Sequence, residues 1–261
     1  MPKIVFVLNF LFKPKKLNIG SGRRAWVGWS LLDEISDLNI INTKFSENTK
    51  LNFQSDSQLI VYSSHFFEHI DTLTTNNLLC EIKRVLKHDG YLVIKIPDYD
   101  AVLESYFNGS YELISKFSFA GLPEGWHRHG IDNSIENKLS MIFASYFTRG
   151  YGDHFLNRGE LDKTNGYHGP AKIQKETLMQ ILESKNPALI SENLVSLIKK
   201  DASFHRFNHQ QAWSNYQFEK YVTDFGFKLL KLTPGIESYL LRNIRDFKLM
   251  SDISSYFIFQ K

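Results

Sequence analysis

The sequence has few of the features that mark secreted, membrane-spanning and nucleic-acid-binding proteins. Among its 261 residues there is one cysteine, so no disulfide can form within the chain, and a reducing, cytoplasmic location is expected. The apolar run at residues 4–12 is shorter than the roughly 20 residues of a membrane helix and lacks a small-residue cleavage site. We therefore expect no membrane span and no signal peptide. We interpret the run as an extra strand or a packing arm, which leaves a homodimer open.

The charges are balanced and dispersed along the chain. The 31 lysines and arginines against 28 acidic residues give a net charge of +3, without a long basic block, so nucleic acid is not expected as a partner. The composition is 43% hydrophobic and 23% charged, which is typical of globular proteins. The single cysteine, Cys80, lies in an apolar helical pattern, and we expect it to be a small buried side chain.

Short apolar runs organise the first hundred residues. Runs at residues 17–19, 29–32, 59–62 and 91–96 predict strands of the kind buried in a parallel sheet. Between the runs at 59–62 and 91–96, apolar residues recur at helical spacing, which predicts a helix that ends at a stop signal at 88–90. These apolar residues are Leu78, Leu79, Ile82, Val85 and Leu86. Strands that alternate with helices predict an α/β fold with crossover connections and helices on both faces of the sheet.

The C-terminal segment continues this pattern after a long middle. Residues 218–224 predict a helix that stops at Gly226, and residues 227–232 and 255–260 predict two further strands. The core is therefore assigned to residues 1–100 and 217–261. Residues 101–216, which include a helical stretch at 175–183, form an insertion predicted to cover the carboxyl ends of the strands, where open parallel sheets bind ligands.

A glycine turn follows the first predicted strand. Gly20-Ser21-Gly22 lets a ligand approach the backbone closely, and Asp33 at the end of the next strand can accept hydrogen bonds from ribose hydroxyls. Nicotinamide oxidoreductases usually place this acid about 20 residues beyond the turn, after a full helix. Asp33 comes too early for that arrangement, which argues against a nicotinamide-dependent oxidoreductase.

The ordered motifs from residue 16 to residue 98 resemble the class I S-adenosylmethionine-dependent methyltransferases of the type 11 group. The glycine turn, Gly28-Trp29 and Leu32-Asp33 open the resemblance, and it continues through residues 51–53, 56–57, 60–69, 81–87, 90 and 96–98. Two positions differ from the family pattern. Ser21 stands where the family usually has cysteine, and Asn52 stands where it has proline.

The resemblance implies a Rossmann-like, mostly parallel sheet of seven strands, the last antiparallel. It implies that S-adenosylmethionine lies across the ends of the first, second and fourth strands. The cofactor-binding residues carried over in this way are Gly20, Ser21, Gly22, Asp33, Ser63, Ser64 and His65. Glu47 and Asn48 stand near the acid and amide that frame adenine in the family, although this local match is poor.

We expect an O-methyltransferase, but the acceptor stays open among a sugar hydroxyl, an amine, a carboxylate and a phosphoramidate-type oxygen. If it is a hydroxyl, a base must take its proton. His65, Asp98 and His168 are the candidates, with a capping role for Asp98 equally open. Glu68 and His69 are interpreted as structural. Segments at 167–168, 176–182, 237–242 and 255–261 are similar to relatives from bacterial surface-polysaccharide (capsule or O-antigen) clusters. This likeness implies a small polar acceptor, a sugar or a sugar-linked group such as a phosphoramidate, either nucleotide-activated or phosphorylated.

The sequence also raises two further hypotheses. A noncatalytic Rossmann-like binding protein would keep the fold, and failure to bind S-adenosylmethionine would identify it. A metal site is suggested by the scattered histidines 127, 129, 154, 168, 205 and 209, but no compact cysteine or carboxylate pattern accompanies them. No metal ligand is therefore predicted.

Overall fold

In a computed structural model of the protein, the described residues are 14–23, 26–110, 112–113, 161–162, 166–167, 175–197, 210–231, 241–242, 244 and 253–261. The chain divides into two compact units. One comprises residues 1–96 and 218–261, and the other comprises residues 97–217.

The first unit contains a mixed sheet with seven strands among the described residues. Its first three strands are β1 (Lys16–Ile19), β2 (Ser30–Asp33) and β3 (Ile41–Asn42). The central strands are β4 (Gln58–Ser64) and β5 (Leu86–Pro97). The seven-stranded sheet is completed by β8 (Lys228–Leu229) and β9 (Ser254–Gln260). Two further short strands, β6 (Leu161–Asp162) and β7 (Gly166–Tyr167), pair with each other in the second unit.

The strand order is β3-β2-β1-β4-β5-β9-β8. Strands β1 to β5 pair in parallel, whereas β8 and β9 pair antiparallel. The end of β9 lies beside the start of β5, because the Lys261 N–H donates to the Gly90 carbonyl at 3.1 Å, so β9 opposes the parallel strands. This architecture confirms the predicted Rossmann-like fold. The order reverses between β1 and β4, where sheets of this type bind ligands.

Both faces of the sheet are buried. One face holds a cluster in which Trp26 stacks on Tyr62 with ring centroids 5.7 Å apart, together with residues that include Trp29, Val93 and Ile258. On the other face Phe218 lies 6.0 Å from Phe67 and 5.3 Å from Phe257, measured between ring centroids. Burial on both faces explains why the central strands are continuous apolar runs in the sequence.

The helix α1 (Thr72–Val85) connects β4 to β5. It begins at an Asp71 cap, whose side chain accepts a hydrogen bond from the Thr74 N–H at 2.8 Å. Its buried residues include Leu78, Leu79, Ile82 and Val85. Cys80 lies between them in sequence but on the outside of the helix, so the prediction that it is buried is wrong: its side chain is exposed.

The boundary between α1 and β5 also differs from the prediction. The helix was expected to continue to a stop at 88–90, but it ends at Val85, and Leu86 already pairs with Gln58 in the sheet. The register then shifts, so that Ile60 pairs with Tyr91. The predicted turn residues thus form an irregularity inside β5. Leu86 fits both a helical and a strand pattern, which is why periodicity alone placed the boundary too late.

The second unit contains three helices and the start of a fourth within the described residues. They are α2 (Tyr99–Phe107), α3 (Lys175–Leu182), α4 (Pro187–Leu197) and α5 (Asn215–Asp224), the last of which continues into the first unit. The Tyr99 hydroxyl donates to the Pro187 carbonyl at 2.9 Å. Burial raises the pKa of this phenol. No helix in the described ranges is long and apolar enough to cross a membrane.

Asp98 and Asp100 flank the start of α2. Asp98 caps the helix, because its carboxylate accepts a hydrogen bond from the Ala101 N–H at 3.0 Å. The Asp100 carboxylate accepts one from the Asn215 N–H at 2.8 Å. Burial raises the pKa of Asp100 above 3.8, and the nearby Asp98 charge adds to the rise. An ionised Asp100 therefore costs stability.

Asp100→Asn should stabilise the protein increasingly as the pH rises. The folded state binds the Asp100 proton more tightly than the unfolded state does, so this group's contribution is fully present below its ordinary pKa and is lost as the pH rises through the raised one. The asparagine carbonyl can still accept from Asn215. Urea unfolding of both proteins from about pH 4 to about pH 8 measures the difference. A difference that is constant with pH would contradict the raised pKa.

Candidate active site

The glycine turn closes the carboxyl end of β1 against β2. The N–H groups of Gly20 and Ser21 both donate to the Leu32 carbonyl, at 2.9 and 3.1 Å. Gly20 and Gly22 have φ values of +70° and +59°, in the left-handed region where glycine is favoured. The predicted turn is therefore present, and its shape depends on both glycines.

Asp33 holds this turn with its carboxylate. Oδ2 accepts a hydrogen bond from the Gly22 N–H at 2.8 Å, and Oδ1 accepts one from the Ile35 N–H at 3.2 Å. Two carboxylate oxygens offer about four lone-pair sites, so acceptor capacity remains for ribose hydroxyls. Asp33 thus has a structural role that the sequence did not reveal. Its predicted role toward ribose stays a prediction.

The space around the turn suits the polar end of S-adenosylmethionine. A Cβ atom on Gly22 would meet nothing within 4 Å, so a ligand can lie against this backbone. Asn18, on β1 two residues before Gly20, is only 1% exposed, and its Nδ2 atom has no hydrogen-bond partner among the residues that the structure describes. A buried amide of this kind needs an acceptor. The residues present therefore fit the cofactor, and Asn18 is a candidate site residue that was not predicted from the sequence.

A cavity of about 540 Å³ lies beside β2 and β3. Its lining includes Leu32, Thr43, Asn48 and Phe53. Of the two residues predicted near adenine, Asn48 lines this cavity, whereas Glu47 is exposed and does not. The volume is within the range of small-molecule sites, about 300–1,000 Å³.

An ion pair on α1 fixes one wall of the cavity. The Arg84 guanidinium donates to both carboxylate oxygens of Glu81 at 2.7 Å, and it also donates to the carbonyls of Phe53 and Leu51 at 2.8 and 2.9 Å. The Leu51 N–H donates to Glu81 at 2.8 Å. The hydrogen bond from Arg84 is the main reason that the pKa of Glu81 is lowered. These two side chains hold residues 51–53 against the helix.

Arg84→Lys should loosen this wall, because lysine cannot reproduce the bidentate contact and the two carbonyl contacts together. We expect the free energy of unfolding to fall by about 1–2 kcal/mol at neutral pH. The loss should shrink on acidification, since the contribution of a carboxyl with a lowered pKa is lost as the pH falls through that pKa. Urea unfolding measures it. Lys220→Ala, which removes an exposed pair with Asp224, is the control and should cost about 0.5 kcal/mol or less.

The residues after β4 lie directly beside the glycine turn. The buried Ser63 hydroxyl donates to the Ile19 carbonyl at 3.0 Å, joining β4 to β1. The Phe66 ring packs on Gly20 so closely that a Cβ atom there would lie 2.5 Å from Phe66 Cδ2. Ser64 ends β4 and is partly buried. The structure thus brings this segment to the turn, and the ligand contacts of Ser63 and Ser64 stay predictions.

His65 is held on both sides of its ring. Its Nε2 atom lies 2.9 Å from Ser254 Oγ, and its Nδ1 atom lies 3.3 Å from Glu68 Oε1. Glu68 lies in a 3-10 turn (Phe67–His69) that precedes α1, not in the helix itself. Sequence reasoning assigned Glu68 a structural role and did not identify Ser254. No local signal could have found Ser254, which is 189 residues away from His65 in the chain.

Asp98 and His168 are the other two candidate bases. Asp98 belongs to the second unit and caps α2, which is the structural role that the sequence left open. His168 lies outside the described residues, as do the other histidines from the middle of the chain, 127, 129, 154, 205 and 209. In the part of the chain that the structure describes, no group of three His, Cys, Asp or Glu residues could hold a metal ion.

Residues 33–94 match the family described as a methyltransferase domain. The match begins at Asp33 and continues through β4, His65 and α1 into β5. It therefore includes Asp33 and the segment after β4, but not the glycine turn. It confirms the predictions of a methyltransferase domain and of an enzyme. Among curated proteins, no significant match to the chain is found.

Several solved structures are similar to the chain at low identity, and each is described as a S-adenosylmethionine-dependent methyltransferase. One from Archaeoglobus fulgidus is 13% identical with a TM-score of 0.39, and the match covers 100% of this chain and 95% of that one. One from Mesorhizobium loti is 11% identical with a TM-score of 0.37, covering 98% and 96%. One from Aquifex aeolicus is 16% identical with a TM-score of 0.25, covering 36% of this chain and 66% of that one.

Proposed function

We propose that the protein is a class I methyltransferase that transfers the methyl group of S-adenosylmethionine to a hydroxyl oxygen of a small polar acceptor. The observation that carries this proposal is the glycine turn tied to Asp33 at the point where the strand order reverses. The matched methyltransferase domain, which begins at Asp33, supports both the reaction and the donor. When bound, the donor supplies an activated methyl group on a sulfonium.

The residues of the first unit hold the donor in this proposal. Gly20, Ser21 and Gly22 lie against its methionine and ribose parts, and Asp33 accepts hydrogen bonds from the ribose hydroxyls. The buried Asn18 amide donates to an oxygen of the donor near the turn. Asn48, which lines the cavity beside β2 and β3, faces the adenine, with Glu47 near it. Because the donor is already electrophilic, catalysis consists largely of alignment and proton removal.

The acceptor is proposed to be a sugar or a sugar-linked group such as a phosphoramidate, in nucleotide-activated or phosphorylated form. The similarity of the later segments to polysaccharide-cluster methyltransferases supports a role in capsule or O-antigen synthesis. Residues 101–216 select the acceptor, and His65, Asp98 and His168 are the candidate bases. As part of the same proposal, the enzyme is located in the cytoplasm and forms a homodimer.

Calorimetry on the whole chain tests the donor site. We expect binding of both S-adenosylmethionine and S-adenosylhomocysteine, with NADH as the control that should not bind. A screen of nucleotide-activated sugars with methyl-labelled donor then identifies the acceptor. Absence of donor binding by the unaltered protein would refute the methyltransferase proposal, and binding of NADH alone would favour an oxidoreductase.

A further inference from the structure

Both nitrogens of the His65 ring face polar atoms within the first unit. Ser254, the first residue of β9, places its hydroxyl oxygen 2.9 Å from Nε2. Glu68 places Oε1 3.3 Å from Nδ1. An acceptor hydroxyl therefore finds neither ring nitrogen open to it, and His65 cannot take its proton by direct contact in this arrangement.

The buried Glu68 carboxylate favours one tautomer of His65. Glu68 is 1% exposed, and an ionised carboxylate accepts hydrogen bonds only. Two imidazole nitrogens approach the same Glu68 oxygen, Oε1: His65 Nδ1 at 3.3 Å and His69 Nε2 at 4.0 Å. When the neutral His65 ring is protonated on Nδ1, this N–H faces Glu68 Oε1. Its Nε2 lone pair then accepts the proton of the Ser254 hydroxyl.

The backbone holds His65 in an uncommon conformation. Its φ is +50°, a value that non-glycine residues adopt rarely, and its N–H donates to the Lys95 carbonyl at 2.9 Å. Conformations of this kind concentrate at functional sites. The next residue, Phe66, packs on Gly20 of the glycine turn, so this segment of the backbone lies beside the proposed donor site.

We infer that Ser254 is a catalytic residue and that Glu68 is a positioning residue, in a Ser254–His65–Glu68 relay that removes the proton of the acceptor hydroxyl. This inference rests on the proposed function. The acceptor oxygen uses a lone pair to bond the methyl carbon, and the electrons of the broken carbon–sulfur bond stay on sulfur. Meanwhile the acceptor proton passes to Ser254 Oγ, and the proton of Ser254 passes to His65 Nε2. Glu68 stabilises the resulting imidazolium, which later loses the proton to solvent.

The first test reads the tautomer of His65 by long-range ¹H–¹⁵N NMR of the whole chain, with His65→Gln used to assign its signals. We expect neutral His65 to be protonated on Nδ1 in the unaltered protein and in Ser254→Ala, and to shift toward the other tautomer in Glu68→Gln. An Nε2-protonated ring in the unaltered protein would overturn the relay, because Nε2 could then accept nothing from Ser254. An unchanged tautomer in a folded Glu68→Gln protein would remove Glu68 from it.

The second test measures turnover with a nucleotide-activated sugar found in the labelled-donor screen. Ser254→Ala should lower turnover by about 100-fold, the usual contribution of a positioned proton acceptor, with nearly unchanged affinity for S-adenosylhomocysteine. Ser254→Thr should restore most of it. Ser255→Ala, one residue along β9 where the side chain points to the other face, is the matched control and should keep full turnover.

The outcomes separate this inference from the proposed function. If the unaltered protein binds no S-adenosylmethionine, the proposed function fails whatever the tautomer of His65. If donor binding is intact but Ser254→Ala turns over like Ser255→Ala, the relay is refuted and the contact between β4 and β9 is structural.

Discussion

Asp33→Asn should weaken S-adenosylhomocysteine binding by about 10-fold, and Asp33→Ala by about 100-fold. The charge-assisted hydrogen bonds of a carboxylate to ribose contribute about 1.5–3 kcal/mol, and an amide that replaces it keeps about half. The asparagine carbonyl can still accept from the Gly22 N–H, so the turn should keep its shape. Alanine removes the acceptor for both Gly22 and Ile35, and therefore loosens the turn as well.

Calorimetry on the three proteins gives these affinities, and thermal unfolding shows how much of each loss comes from the turn. Asp37→Asn is the matched control, since Asp37 is exposed nearby and also accepts a backbone hydrogen bond, from the Asn39 N–H at 3.1 Å. It should bind the ligand like the unaltered protein. Equal affinities for the unaltered protein and Asp33→Asn would leave Asp33 with its structural role alone.

Gly20→Ala should destabilise the first unit by about 2–5 kcal/mol. The new methyl group would lie 2.5 Å from the Phe66 ring, and overpacking of this kind costs about 1–3 kcal/mol. The left-handed backbone at φ +70° adds about 1–2 kcal/mol for a residue with a Cβ atom. Urea unfolding measures the change.

Gly22→Ala separates the cost of the clash with Phe66 from the cost of the left-handed backbone. Its φ is also left-handed, but no atom lies within 4 Å of the added Cβ, so we expect a loss of only about 1–2 kcal/mol. Its effect on donor binding should exceed its effect on stability, because the methyl group occupies the space left for the ligand. A Gly20→Ala loss no larger than that of Gly22→Ala would show that Phe66 moves aside without cost.

The sequence revealed those strands whose burial leaves a continuous apolar run. Strands β1, β4 and β5 lie inside the sheet and carry such runs, and they were predicted to within a few residues at most boundaries. The edge strand β3 was not predicted from any run. It has two residues, both exposed, so no period or burial pattern distinguishes it.

Some residues of the site could be predicted from the sequence and others could not. The glycine turn and Asp33 are close in sequence, and the chemistry of a turn after a strand is local, so their proximity was predictable. The partners of His65 were not, because β9 returns to the end of β4 only through the topology of the sheet. The Asn18 amide, which has no partner among the described residues, could not be predicted for another reason: its position in a strand says nothing about whether its hydrogen bonds are satisfied.

The exposed position of Cys80 matters for any measurement of assembly. It is the one thiol of the chain and stands on the outer side of α1, so two copies can join through it in air. Such a covalent pair would have the mass of a homodimer without its interface. Sizing experiments therefore belong in a thiol reductant or on Cys80→Ser. The same thiol gives a fluorophore or spin label a single attachment point, away from the glycine turn in sequence and outside the packed face of its helix.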